Sequence, residues 1–188
     1  LCIYEASFAV GPLVQTCGLA YSLWFLNIVD VFIAAADVHL MLAVANADVR
    51  FRGYIRASYA AAFAIFAAAV AYPQLFLPQI LPKLYFPWYL DGGPLYVVMV
   101  VYFGLALVYA FYRMFREYLK TRRKDYEYFL VMFFIGYATG PLNFFLVFDY
   151  PVDPIYGFAT GLSTLPLAYG ILTSDLLDIR IIAKKALL

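Results

Sequence analysis

The sequence is poor in the residues that usually carry chemistry. Its 188 residues include one histidine and two cysteines, Cys2 and Cys17, too few for a disulfide framework, and no Cys-x-x-Cys pair is present. There is no glycine-rich phosphate loop, no Gly-x-Ser-x-Gly turn and no His-Glu-x-x-His motif. We therefore predict no catalytic residue, no metal site and no cofactor in this chain, and a function that is not enzymatic.

Charge is also scarce, and apolar residues are abundant. Charged residues make up 13% of the chain, and a formal net charge of +1 gives no electrostatic reason to expect nucleic acid as a partner. Apolar residues make up 66%, against about 45–50% in an ordinary soluble domain. A soluble protein of this length could not bury so much apolar surface. We therefore predict an integral membrane protein whose first partner is the lipid bilayer.

Five apolar segments are each close to the roughly 20 residues that a helix needs to cross a bilayer. They are residues 21–44, 55–72, 95–115, 126–148 and 155–174, called here the first to the fifth span. The predicted fold is all-α, a polytopic bundle of about five complete transmembrane helices. Residues 1–20 would form a partial helix or interfacial segment, 21–175 the bundle and 176–188 a cytoplasmic exit helix. We expect further sequence at both ends.

The positive charges predict an orientation. All Lys and Arg residues except Lys83 lie in three clusters, namely Arg50, Arg52 and Arg56; Arg113, Arg116, Lys120, Arg122, Arg123 and Lys124; and Arg180, Lys184 and Lys185. An alternating path through the spans brings all three clusters to one face. Loops rich in Lys and Arg stay on the cytoplasmic side. The N-terminal end is therefore predicted outside and the C-terminal end inside.

The loop 73–94, on the predicted outer side, contains five prolines interleaved with aromatic residues. Proline at this density blocks a regular helix, and the aromatic residues favour a membrane surface or the mouth of the bundle. The loop would be an interfacial lid without a ligand, or the cover of a ligand cavity. In the next outer loop, Asp149 and Asp153 are interpreted as turn formers beside proline.

Polar residues inside an apolar span are candidates for function. Asn27, Asp30 and Asp37 lie along one side of the first span, and Asn143 lies in the fourth. They could form a hydrogen-bonded seam to a Ser, Thr, Tyr or Asn of a neighbouring helix, line a sensing or ligand pocket, or mark a proton or cation path. His39 lies on the opposite face of the first span and is interpreted as a hydrogen-bonded helix residue.

Small residues predict where helices pack. Gly136 and Gly140 in the fourth span, and Gly157 and Gly161 in the fifth, have the spacing that lets two helix backbones approach closely. Pro141 and Pro166 lie inside the same two spans and should kink them.

The segment 168–180 contains the most specific motif, Leu176-Leu177-Asp178-Ile179, after an Ala-x-x-Ile-Leu stretch. It resembles the end of the seven-transmembrane sensor region of bacterial and archaeal histidine kinases. His39 with the apolar residues after it, the basic loop after the third span, and Gly140-Pro141-Leu142-Asn143 are similar too. The resemblance implies that the five spans are helices three to seven of that family, in a prokaryotic plasma membrane.

Three functions remain open from the sequence. The first is a sensor module of a two-component system, which would pass a stimulus through Leu176, Leu177, Asp178 and Ile179 to a cytoplasmic output domain. The alternative is a structural subunit of a respiratory or photosynthetic membrane complex. The third is a fragment of a transporter or channel, with Asp30 and Asp37 on the path. The expected protein partners are other membrane helices or a second copy of the chain.

Overall fold

The computed structural model describes residues 14, 16–45, 47, 49–153, 161–163, 165–166 and 169. The described chain is mostly helical, and four of its helices are long and apolar enough to cross a membrane: Cys17–Val44, Arg52–Ala71, Pro94–Thr121 and Tyr126–Val147. These are the first four predicted spans. Most of the fifth span, Gly157 and the exit residues Leu176, Leu177, Asp178 and Ile179 lie outside the described residues.

The helix ends differ from the hydropathy boundaries for local reasons. The first span begins at Cys17 rather than at residue 21, and a 3₁₀ segment, Leu26–Val29, interrupts it before Asp30–Val44. The third span continues to Thr121 rather than ending at residue 115, because charged residues such as Arg116 and Lys120 are good helix formers. It ends where Arg122 takes a left-handed conformation with φ 52°, which cannot propagate a helix.

The first span lies at the centre and packs against the second and the third. Its residues Ala34, Ala35 and Val38 are fully buried, and the small alanines let the neighbouring backbones come close. The core has two parts. One surrounds Trp24 and Tyr89 at one end of the bundle, and the other surrounds Val38, Met41, Leu42, Ala110 and Met114 toward the opposite end.

A β-hairpin corrects the all-α prediction. After a short helix, Pro73–Phe76, the strands β1 (Gln79–Lys83) and β2 (Phe86–Asp91) pair antiparallel. The prolines that exclude a helix here are compatible with a two-stranded sheet, because each strand has a free edge. Pro82 falls at the irregularity between Leu81 and Lys83, where the register shifts and no regular pairing is lost. This pair of strands is called the hairpin below.

The fourth span is broken near its middle, where Pro141 predicts a kink. Its first segment, Lys124–Thr139, ends before Gly140, and a second segment, Leu142–Val147, follows. Tight turns join them, in which Asn143 donates its backbone N–H to the Gly140 carbonyl at 3.2 Å. Because proline lacks an N–H and its ring clashes with the preceding turn, a regular helix cannot run through this point.

Candidate functional site

A buried lysine joins the hairpin to the end of the fourth span. Lys83 is the last residue of β1, and its side chain is only 5% exposed. Its Nζ lies 3.1 Å from Asp91 Oδ1 and 2.9 Å from Asp149 Oδ1. It also donates to the carbonyl oxygens of Val147 at 2.8 Å and Leu146 at 3.2 Å. These five residues are called the Lys83 cluster.

The partners of Lys83 are negatively charged or partly negative because of where they lie in the fold. Leu146 and Val147 are the last residues of a helical segment, where carbonyl groups have no partner within the helix and the helix dipole is negative. A cation is stabilised there. Asp149, two residues later, has a left-handed backbone with φ 65°, a conformation that aspartate tolerates. The turn thereby brings its carboxylate back to Lys83.

Two glycines allow the hairpin to close on its neighbours. A Cβ placed on Gly92 would lie 2.7 Å from Cγ1 of Val147, and one on Gly93 would clash with the carbonyl oxygen of Leu75. Gly93 also donates its backbone N–H to the carbonyl of Phe76 at 3.0 Å. Only a residue without a side chain permits both approaches. The Gly-Gly pair therefore sets the position of β2 relative to the fourth span.

Aromatic residues attach the hairpin to the first span. Tyr89 and Leu90 are fully buried, and the Tyr89 ring lies 4.8 Å from the ring of Trp24, measured between centroids. Trp24 Nε1 donates to the Trp88 carbonyl at 3.2 Å, and the Tyr89 hydroxyl donates to the Asn143 carbonyl at 3.4 Å. The hairpin thus folds over one end of the bundle. Of the two positions that the sequence suggests for this loop, the membrane surface and the mouth of the bundle, the structure has the mouth.

The polar residues of the first span face the interior of the bundle, as a hydrogen-bonded seam requires. Asn27 and Asp30 are buried, and Asn27 Nδ2 donates to the Trp24 carbonyl at 3.0 Å. Asp37 Oδ2 accepts a hydrogen bond of 3.1 Å from the hydroxyl of Tyr137 in the fourth span. Asn143 is buried too, and its backbone carbonyl accepts the hydrogen bond from the Tyr89 hydroxyl of the hairpin.

The two other chemically distinctive residues of the first span are His39 and Cys17. His39 is exposed, and its ring lies edge-on to Tyr59 of the second span at 6.1 Å between centroids. Cys17 is a free, exposed thiol. Within the described ranges, no three His, Cys, Asp or Glu residues are close enough together to hold a metal ion.

Two of the three basic clusters meet at one end of the bundle. The Arg113 guanidinium carbon lies 4.3 Å from the centroid of the Phe51 ring, and that of Arg50 lies 5.7 Å from the same ring. Phe51 precedes the second span and Arg113 lies near the end of the third. The third cluster, Arg180, Lys184 and Lys185, is outside the described residues.

One of the predicted glycine contacts joins the fourth span to the described part of the fifth. A Cβ on Gly136 would lie 3.6 Å from Cβ and 3.5 Å from Oγ of Ser163. Gly140 follows the first segment of the fourth span and donates its N–H to the Gly136 carbonyl at 2.8 Å. The packing role predicted for Gly161 stays a prediction.

The residues that sequence reasoning missed are Lys83, Asp91, Tyr89 and Tyr137. One signal was present: Lys83 is the only Lys or Arg outside the basic clusters, and acids follow it at Asp91 and Asp149. Comparison of the chain with protein-family models, with curated proteins and with solved structures finds no match. The resemblance of residues 168–180 to a histidine kinase sensor region therefore stays a prediction.

Proposed function

We propose that this chain is a membrane-embedded sensor module. The hairpin would receive the stimulus, and the fourth span would pass a change of packing to the fifth. Leu176, Leu177, Asp178 and Ile179 would carry it to a cytoplasmic output domain. The observation that carries the proposal is the Lys83 cluster, because a single buried side chain joins the hairpin to the fourth span.

Membrane insertion is the first part of the proposal. It is supported by four helices of sufficient length and apolarity, and by the contacts that bring two basic clusters to one end. The positive-inside rule makes that end cytoplasmic. The hairpin and the Lys83 cluster would then face the outside of a prokaryotic plasma membrane, where a stimulus can reach them.

The fourth span provides a route between the hairpin and the fifth span. Its two segments meet at the break before Pro141, so the segment held by Lys83 can rotate against the other. Backbone hydrogen bonds from Asn143 to Gly140 and from Gly140 to Gly136 connect the two segments, so movement of the shorter segment pulls on the end of the longer one. Gly136 of that segment lies against Ser163. A stimulus that moves the hairpin would therefore change the contact between Gly136 and Ser163.

A disulfide crosslink can measure that change. The 3.6 Å between a Cβ on Gly136 and Cβ of Ser163 falls within the roughly 3.5–4.5 Å of natural disulfides. We would replace both positions with cysteine in a chain whose Cys2 and Cys17 are serine, and follow crosslinking in membrane vesicles. Lys83→Met should change the crosslinking rate severalfold. Lys120→Met, which removes an exposed lysine, is the matched control.

The crosslinking result distinguishes the sensor from the structural subunit, and a flux measurement distinguishes it from the transporter or channel. An unchanged crosslinking rate in Lys83→Met, with the hairpin shown to be released, would refute transmission through the fourth span. That result, together with purification in a fixed ratio with other membrane proteins, would favour the structural subunit. A transporter or channel would instead show flux through vesicles that depends on Asp30 and Asp37, which the sensor proposal does not require.

A further inference from the structure

An apolar groove runs along the third span beside the fourth. Its volume is about 540 Å³, within the roughly 300–1,000 Å³ of known sites for small ligands. Aromatic rings dominate its walls, which include Phe103, Leu107, Phe111, Phe115, Phe134 and Tyr137. Gly104 keeps the groove wide, because no atom of the described residues lies within 4 Å of a Cβ placed there.

The length of the groove matches one leaflet of a bilayer. From Phe103 to Phe115 a helix rises about 18 Å, at about 1.5 Å per residue. That is slightly more than half of the roughly 30 Å hydrocarbon core of a membrane. The groove therefore extends from near the middle of the third span to its basic end, and its shape and apolar lining suit an acyl chain.

Two arginines stand at the basic end of the groove. The Arg116 guanidinium carbon lies 5.9 Å from the ring centroid of Tyr112, which lines the groove. That of Arg122 lies 5.7 Å from the ring of Tyr118, which in turn contacts Phe115 at 6.4 Å between ring centroids. Both arginines are exposed, and neither forms an ion pair with a described residue. Their charge is therefore available to an external anion.

The described part of the fifth span does not occupy this groove. Its residues Ser163 and Tyr169 lie against Gly136 and Tyr128 of the fourth span. None of the described residues after Asp153 lines the groove. An apolar channel that ends beneath two exposed guanidinium groups complements the shape and charge of an anionic amphiphile with a long chain.

We infer that the groove binds one anionic phospholipid, with an acyl chain along Phe103–Phe115 and the headgroup phosphate against Arg116 and Arg122. Guanidinium groups bind phosphate through strong, charge-assisted hydrogen bonds, and basic sites between membrane helices hold anionic headgroups. The inference rests on the membrane location proposed above, but it does not require the sensor role.

Native mass spectrometry of the full chain in detergent tests the inference. We would titrate the protein with dioleoylphosphatidylglycerol and, separately, with dioleoylphosphatidylcholine. One phosphatidylglycerol per chain should bind at least tenfold more tightly than phosphatidylcholine, because both guanidinium groups attract the net negative charge of its headgroup. Arg116→Gln with Arg122→Gln should abolish this preference. Arg52→Gln with Arg56→Gln, which removes the same charge from another cluster, should keep it.

A second pair of variants tests the acyl chain. Gly104→Phe fills the groove and should weaken binding of both lipids, whereas Gly18→Phe, also at an exposed glycine with open space, should not. Equal affinity for the two lipids, equal loss in both arginine pairs, or normal binding by Gly104→Phe would overturn the inference. So would a change of oligomeric state in Gly104→Phe with lipid binding intact, because a second copy would then occupy the groove.

Insertion into vesicles distinguishes this inference from the proposed function. A chain that inserts but shows no preference for phosphatidylglycerol overturns the lipid site alone. A chain that does not insert overturns the membrane location, and with it both proposals.

Discussion

Replacing Lys83 with methionine should release the hairpin from the fourth span. The variant keeps the length of the side chain but removes the charge that contacts two carboxylates and two carbonyl groups. Asp149 is 74% exposed, so its ion pair contributes less than about 1 kcal/mol. The Asp91 carboxylate is 23% exposed, and the two carbonyls are at a helix end, so these contacts carry most of the effect.

The expected loss is about 3 kcal/mol. A hydrogen bond to a charged group contributes about 1.5–3 kcal/mol, and removing one partner of a buried ion pair costs about 3–5 kcal/mol. We take the low end, because part of the cluster is solvated and the contacts are not additive. At about 1.4 kcal/mol for each factor of ten, the hairpin should open roughly a hundred times more often.

Amide hydrogen exchange of the reconstituted protein measures this opening. The reporter is the Gly93 amide, which is bonded to the Phe76 carbonyl and loses protection when the hairpin lifts. Lys120→Met is the control, because its exposed pair with Glu117 should change exchange little. Asp91→Asn should accelerate exchange more than Asp149→Asn. An acceleration of exchange below threefold in Lys83→Met would refute this account of the Lys83 cluster. So would faster exchange in Asp149→Asn than in Asp91→Asn.

Three further variants test neighbouring contacts. Gly93→Ala should destabilise the fold by about 1–3 kcal/mol in thermal unfolding, because the added Cβ clashes with a backbone oxygen. Tyr137→Phe should cost about 1 kcal/mol, and a double-mutant cycle with Asp37→Asn should show coupling between the two positions. The hydrogen bond to Asp153 raises the pKa of Tyr85 above its usual 10.0, so its contribution to stability is complete below pH 10 and lost as pH rises through the raised pKa. In Asp153→Asn, a titration followed by NMR of labelled tyrosine should show that pKa falling.

Local patterns in the chain were enough to predict the four long helices that the structure describes, out of five predicted spans. Long apolar segments predict the four spans because hydropathy and helix propensity are properties of neighbouring residues. The helix ends were less predictable, since Arg116 and Lys120 continue the third helix although they are not apolar. The break before Pro141 followed from proline chemistry alone.

The candidate site depended much more on the fold. Asp37 could be recognised as a polar residue that must face the interior, but its partner was not predictable. The sequence offers many hydroxyl groups on the other spans, and the packing of the first span against the fourth selects Tyr137, which is 100 positions away. The contact between Tyr89 of the hairpin and the backbone carbonyl of Asn143 was not predictable either, because 54 positions of chain separate the two residues.

By itself the sequence determined the apolar spans, the grouping of positive charge and the places where a helix must stop. Each depends on the composition of a short stretch and on the shape of single residues. Only the tertiary structure decided that the proline-rich loop is a β-hairpin and that Lys83 is buried. A lysine is buried only where hydrogen-bond acceptors surround it. The acceptors of Lys83 are Asp91, Asp149 and two backbone carbonyl groups, and they lie up to 66 positions away from Lys83 in the chain.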